Sequence, residues 1–183
     1  DRNSDDNDDI WVTDLLLGFK PSPSWLIETS LENFQYEKEY KRKLPTAAIE
    51  RRLQIKTEYK KGPWSHNLRG SLIGSRDISQ YGSYNNHFAN RNQALESALD
   101  PNLIMKRQKA PTWFILDTRV SYAFSEKLVF NFSINNLFNY TQAGQGDSPS
   151  TWHWHFTHAH YDGLHTWGPN QGRQYYFGVS GEF

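Results

Sequence analysis

Apolar and polar residues alternate with a period of two along most of this chain, and the pattern recurs in seven segments. In the clearest segment, Phe130 and Ile134 lie on one face and Asn131 and Asn135 lie on the other. A period of two is the side-chain repeat of a β-strand whose faces meet different surroundings. The seven predicted strands cover 11–19, 25–32, 49–59, 67–72, 114–124, 128–140 and 173–183.

The connections between these strands alternate between short and long. Tight turns are predicted at 21–23, 61–63 and 125–127, and long connections at 37–46, 77–111 and 141–172. Aromatic residues such as Trp25, Trp64 and Phe124 gather near strand ends, where they suit a lipid-water interface. The combination predicts an all-β, antiparallel transmembrane β-barrel segment with short periplasmic turns and long extracellular loops. A soluble sandwich of two sheets is the alternative.

The number of predicted strands limits what this chain can form alone. Single-chain bacterial barrels have even strand numbers and close, because an unpaired strand edge in lipid is costly. We therefore expect residues 1–183 to be part of a larger barrel, completed by the rest of a longer polypeptide or by a separate chain. The longest apolar runs are about four or five residues, far short of a membrane-spanning helix.

Composition removes several classes of function. The 20 Lys and Arg residues balance the 20 Asp and Glu residues, so no long-range field attracts nucleic acid. The absence of cysteine excludes disulfides, thiolate metal sites and a cysteine nucleophile. No phosphate-binding loop, dinucleotide fingerprint or nucleophile-base motif occurs, so no enzymatic activity is predicted.

Two stretches near the end of the chain resemble a known family. They are APTWFILDTRVSYAFSEKLVFNFSINNLFNYTQ, which contains Ile134-Asn135-Asn136-Leu137-Phe138-Asn139, and HTWGPNQGRQYYFGVSGEF, which contains Gly172-Arg173. Both are similar to the last strands of TonB-dependent outer-membrane receptors. Upstream of Pro111 the similarity rests on strand rhythm alone.

The resemblance implies a plugged barrel of about 22 strands, of which this chain supplies about the last seven, in the outer membrane of a Gram-negative bacterium. Such receptors bind and import scarce nutrients, such as a metal chelate, haem, a metal ion, cobalamin or an oligosaccharide. The implied partners are the plug and remaining strands, the TonB complex through N-terminal parts absent here, the lipid bilayer and, as an open question, a surface lipoprotein. Phe183 resembles the C-terminal aromatic that the barrel-assembly machinery recognises, and it also fits as the last lipid-facing residue.

The segment 152–167 is unusually rich in histidine and tryptophan and falls in the last long loop, 141–172. Neutral imidazole ligates zinc, copper and haem iron, so the segment is a candidate mouth for a transition-metal or haem cargo. In one extended strand the two His-x-His pairs would have opposite parity, so a shared site needs a bend near Phe156-Thr157. Contact with an organic or glycan ligand and simple packing of the loop are the alternatives. Candidate metal ligands are His153, His155, His158 and His160, and candidate ligand-binding residues are Trp152, Trp154, His158, His160, His165 and Trp167.

The acidic N-terminal stretch is a weaker candidate, for calcium. Oxygen-bearing side chains recur at every second position, but no glycine and no downstream glutamate complete an EF-hand, and a solvated loop tip explains the same residues. The positions concerned are Asp1, Asn3, Asp5, Asn7 and Asp9. Two other functions stay open from sequence: a surface-binding or adhesin protein without transport, and a soluble metal-binding domain or enzyme using the histidine cluster.

Overall fold

A computed structural model describes residues 9–44, 47–81, 109–145, 151–155, 158–162 and 166–181, with the backbone alone for 151–155 and 158–162. Its elements are eleven β-strands and two short helices among these residues. They are β1 (Ile10–Ser22), β2 (Trp25–Tyr36), α1 (Lys38–Lys43), β3 (Arg51–Lys61), β4 (Trp64–Ile73), β5 (Arg76–Asp77), β6 (Lys109–Ala110), β7 (Trp113–Ser125), β8 (Leu128–Asn135), a 3₁₀ turn (Ala143–Gln145), β9 (Thr151–His155), β10 (His158–Asp162) and β11 (Gln174–Gly181).

Seven of the strands form one antiparallel sheet in the order β1-β2-β3-β4-β7-β8-β11. Within this sheet each strand pairs with the next sheet strand along the chain. The other four strands form two separate two-stranded sheets inside the connections, β5 with β6 and β9 with β10. The all-β prediction of seven antiparallel strands is confirmed. Among the described residues, no helix is long and apolar enough to cross a membrane.

The register carries the sequence alternation across the sheet. One row joins Leu15, Leu31, Leu53, Leu72 and Phe114 on the apolar face. A row three positions away joins Glu28, Lys56, Arg69 and Asp117 on the polar face. Because residues directly opposite each other lie on the same face, each row has one character from strand to strand.

The apolar face is uncovered in this chain. Trp11 is 73% exposed, Phe19 is 64% exposed and Phe177 is 72% exposed. Monomeric soluble proteins rarely expose apolar surface that extends over a whole sheet. We therefore expect an apolar partner, either lipid or a second protein surface, to cover this face.

The connections between the seven strands of the main sheet lie at its two ends. The short-turn end carries the turns at 23–24, 62–63 and 126–127, where Gly62 has a φ of 55°. The opposite end, which we call the long-loop end, carries the connections that contain α1, β5 with β6, and β9 with β10. The small buried core lies at the long-loop end and includes Ile73, Ile78 and Trp167.

Several strand boundaries differ from the sequence prediction, among them the end of β2, which runs to Tyr36, and two that have a local explanation. The strand predicted over 128–140 ends at Asn135, because Asn136 and Asn139 have φ values of 53° and 56° and turn the chain out of the sheet. The strand predicted over 67–72 begins earlier, at Trp64. His66 interrupts the apolar pattern there, although it lies on the apolar face with its Nε2 2.9 Å from Thr118 Oγ1.

Candidate functional site

The long connections pack on one another at the long-loop end. Ile78, Ala110 and Trp167 form a buried cluster, and Ala47, Trp113 and Tyr140 pack against it. Each of the three comes from a different part of the chain: Ile78 follows β5, Ala110 ends β6, and Trp167 precedes β11. The cluster therefore gives the loops a fixed base beside the sheet.

A buried arginine ties the first long connection to the last. Arg76 is 3% exposed, and its Nη2 donates hydrogen bonds to the carbonyl oxygens of Ala47 at 3.1 Å and Trp167 at 2.7 Å. Burial lowers the pKa of Arg76, while the neighbouring Tyr81 and Glu50 act in the opposite direction. Its Nε and Nη1 have no hydrogen-bond partner among the described residues. The two carbonyl bonds make Arg76 a cross-link between loops.

Glu50 accepts hydrogen bonds from side chains of two different connections. Lys41 Nζ, from α1, donates to Glu50 Oε1 at 2.6 Å, and the hydroxyl of Tyr81 lies 3.0 Å from the same oxygen. Burial, followed by the charge of Glu50, raises the pKa of Tyr81 far above its ordinary value. The Tyr81 side chain therefore stays a neutral donor and joins the second long connection to the first.

Asn136 and Asn139 explain why the chain turns sharply after β8. The side-chain amide of Asn136 donates to the carbonyl oxygens of Tyr140 at 2.7 Å and Gln171 at 3.2 Å, and its Oδ1 accepts from the Tyr140 N–H at 2.9 Å. Asn139 Oδ1 accepts from the N–H of Arg173 at 2.8 Å. A side chain on Gly172 would overlap Asn139 Oδ1, which accounts for the glycine before Arg173.

Gln142 forms a clamp that holds the two ends of the last long connection together. The N–H of Gln142 donates to the carbonyl of Pro169 at 2.9 Å, and Gln142 Oε1 accepts from the N–H groups of Trp167 at 2.9 Å and Gly168 at 3.0 Å. Gln142 is 1% exposed. Residues 142 and 167–169 are thus held together, and the segment that contains β9 and β10 leaves the sheet from this closed base.

Trp167, predicted to contact ligand, lies inside this base. Its side chain is 3% exposed and packs in the cluster with Ile78 and Ala110. In the described structure the ring therefore packs in the loop base, and its predicted contact with a ligand stays a prediction.

The structure describes only the backbone of most other predicted ligand residues. Trp152, His153, Trp154 and His155 lie in β9, and His158 and His160 lie in β10, while His165 lies outside the described residues. The two strands pair antiparallel, with His155 opposite His158 and His153 opposite His160. Among the residues whose side chains are described, no group of three or more His, Cys, Asp or Glu could hold a metal ion.

The remaining predicted positions lie at the ends of the chain. Asp1, Asn3, Asp5, Asn7 and Phe183 are outside the described residues. Asp9 is exposed, and its carbonyl oxygen accepts a hydrogen bond from the N–H of Glu37 at 3.3 Å. The calcium and barrel-assembly hypotheses therefore stay predictions.

The polar face of the sheet forms a groove of about 700 Å³, lined by side chains of both charges. Arg69 Nη2 donates to Asp117 Oδ2 at 2.7 Å, and Arg119 donates to Asn131 Oδ1 at 2.8 Å. Asp117 Oδ1 also accepts from the Asn136 N–H at 2.9 Å, which links the groove to the turn after β8. Among the described residues, this groove brings together charged and amide side chains that can hydrogen-bond a protein segment or water.

Comparisons with known proteins give matches by structure alone. No family model and no curated protein matches this sequence. A solved structure of the copper transporter OprC is similar with a TM-score of 0.52 and 13% identity, over 95% of this chain and 24% of OprC. A structure of P. aeruginosa FpvA bound to a heterologous pyoverdine and iron is similar with a TM-score of 0.52 and 14% identity, over 95% of this chain and 19% of FpvA.

These likenesses concern the fold. The chain spans about a quarter of the length of OprC and a fifth of that of FpvA. The seven-stranded sheet thus matches one segment of larger proteins, as expected for part of a barrel.

Proposed function

We propose that this chain is the C-terminal part of the β-barrel of a TonB-dependent receptor in the outer membrane of a Gram-negative bacterium. The receptor binds a scarce nutrient at the long-loop end and imports it, and this chain has no enzymatic role. The observation that carries the proposal is a seven-stranded antiparallel sheet with one uncovered apolar face, one polar groove, and strictly alternating short turns and long connections.

Three further observations support the proposal. Lipid is the apolar phase that suits an exposed face bearing residues such as Leu17 and Phe177. Aromatic pairs cluster near the short turns, where Trp64 and Tyr122 have ring centroids 4.6 Å apart and Trp25 and Tyr59 4.7 Å apart. The similar structures include a protein named as a copper transporter and one bound to an iron-pyoverdine complex.

The proposed partners follow from the two faces and the two edges of the sheet. The polar groove faces a plug domain, the apolar face meets the bilayer, and β1 and β11 pair with the remaining strands of the barrel. The TonB complex acts through the N-terminal part of the receptor, and the long loops are the surface on which a lipoprotein partner would sit. The cargo is a metal ion, metal chelate, haem, cobalamin or oligosaccharide.

Single-cysteine labelling tests this orientation, since these 183 residues contain no cysteine. Lys38→Cys lies in α1 at the long-loop end, and Glu126→Cys lies in the last short turn, and both native side chains are exposed. In intact cells expressing the full-length protein, a membrane-impermeant maleimide should label Lys38→Cys only. Glu126→Cys should react after the outer membrane is permeabilised.

Transport is tested separately from orientation. Native mass spectrometry of the detergent-extracted protein should show the rest of the barrel and a retained ligand mass. Uptake of that ligand should require an energised TonB complex. Correct labelling with uptake that ignores TonB would favour a surface-binding protein without transport, and equal labelling of both cysteines in intact cells would refute the barrel orientation.

A further inference from the structure

The hairpin formed by β9 and β10 brings all four of its histidines to one face. His155 is directly opposite His158, and His153 is directly opposite His160. Directly opposite residues of an antiparallel pair share a face, and so do residues two apart in one strand. The antiparallel pairing of β9 with β10 therefore cancels the opposite parity that the two His-x-His pairs have in the linear sequence.

The other face of the hairpin has a different composition. It carries Trp152 opposite Tyr161 and Trp154 opposite Ala159. The histidine face ends with Thr151 opposite Asp162, so a carboxylate residue follows His160 two positions along the same face. Histidines and one carboxylate are thus separated by register from the aromatic residues.

We propose that the four histidines of this hairpin bind one divalent transition-metal ion, Zn²⁺ or Cu²⁺. Opposite residues of an antiparallel pair have Cβ atoms about 4.5–5.5 Å apart, and alternate residues along a strand are about 6.6 Å apart. The four histidine positions therefore lie within one small area of the face. Imidazole suits zinc, copper and nickel, and with no cysteine in the chain the ligand set is nitrogen with at most a carboxylate oxygen.

The base of the loop supports a defined site at this position. Gln142 and residues 167–169 hold both ends of the segment together, so the hairpin extends from an anchored point at the long-loop end. The metal site itself needs only the register of β9 and β10. Its role in receiving the imported cargo rests on the proposed function.

Isothermal titration of the detergent-solubilised full-length protein with Zn²⁺ tests the site. One ion per hairpin is expected. The double variant His153→Gln with His160→Gln removes one opposing pair and should weaken binding by more than the roughly 10- to 100-fold typical of losing an outer-shell partner. His66→Gln is the matched control, because His66 lies in β4 of the sheet, and it should leave the affinity unchanged.

An exchange of neighbours separates geometry from mere histidine content. His160→Tyr combined with Tyr161→His keeps the composition and moves one histidine to the aromatic face. Zn²⁺ should bind at least about tenfold more weakly to this variant, and the electron paramagnetic resonance spectrum of bound Cu²⁺ should show fewer coupled nitrogens. Unchanged affinity in the exchange variant, or an equal loss in His66→Gln, would overturn the site.

Folding and transport have their own readouts in the same set of variants. Labelling of Lys38→Cys in intact cells reports that the barrel is assembled in each hairpin variant. If labelling is normal and the wild-type protein does not bind Zn²⁺ or Cu²⁺, the hairpin site is wrong while the receptor proposal stands. If metal binds through the hairpin but Zn²⁺ and Cu²⁺ uptake are the same with and without TonB, the cargo role is wrong.

Discussion

Placing an arginine on the apolar face at mid-strand gives the sharpest test of what covers that face. β3 has 11 residues, which at a rise of about 3.3 Å and a tilt of about 40° span about 28 Å along the membrane normal. This length is close to the hydrocarbon thickness of roughly 30 Å. Ile55 is the fifth residue of β3 and is 45% exposed, so in the proposed barrel it would lie near the middle of the bilayer.

Ile55→Arg should lower the free energy of unfolding by about 2–4 kcal/mol, the cost of arginine at the bilayer midplane. That cost corresponds to roughly a 30- to 700-fold change in the folding equilibrium. Its neighbour Gln54 lies on the polar face, opposite Ser30 and Ser71, so Gln54→Arg should change stability by about 0.5 kcal/mol or less. Phe124→Arg, next to the last short turn, should cost only about 0–1 kcal/mol from lipid contact.

The assay is urea titration of the full-length protein in phosphatidylcholine vesicles. The fraction that migrates in the compact form during unheated SDS electrophoresis gives the unfolding midpoint. Depth dependence is the decisive result, because lipid penalises arginine most at the midplane, whereas a second protein sheet would penalise any buried position. Equal costs for Ile55→Arg and Gln54→Arg would refute the assignment of faces, and equal costs for Ile55→Arg and Phe124→Arg would refute lipid as the cover.

The remaining predictions concern the base of the long loops. Gly172→Ala should speed amide hydrogen exchange in the turn after β8 by displacing the Asn139 side chain, and Gly18→Ala, with open space around the new methyl group, is its control. Asn136→Ala should destabilise the same turn by about 2–3 kcal/mol, because it removes bonds from a buried amide at positive φ, and protease cleavage after β8 measures it. Tyr81→Phe should lower the local free energy of unfolding near α1 by about 1–2 kcal/mol, because it removes the hydroxyl that hydrogen-bonds Glu50. Amide hydrogen exchange near α1 measures this change, and an unchanged exchange rate would refute the role of the bond.

The strands were predictable because one face of each strand meets a different medium from the other. That difference imprints period-two alternation on β1, β2, β3 and β7, and the register confirms that the predicted faces align. The end of β8 was not predictable from alternation, since Phe138 and Tyr140 continue the apolar period while Asn136 leaves the β region. The run Asn135-Asn136 was the available signal, because asparagine tolerates positive φ better than most residues.

The candidate histidine site was suggested by composition, and its predicted metal ligands stay a prediction. Histidine spacing in 152–160 indicated metal ligands, but only pairing of β9 with β10 places both pairs on one face. Arg76 and Gln142 were missed, because each acts through backbone carbonyl or N–H groups far away in the sequence. No local pattern marks such a residue, and the deep burial of a polar side chain appears only when the loops are folded.

The clamp between Gln142 and residues 167–169 has a consequence for how this protein can change. The segment between these positions starts and ends at this one clamped point. Its length and composition can therefore change without changing the strands of the sheet. A different hairpin could therefore replace this segment between the clamp residues without requiring changes in the sheet. The same position is suited to the insertion of an epitope tag or of a loop from another protein.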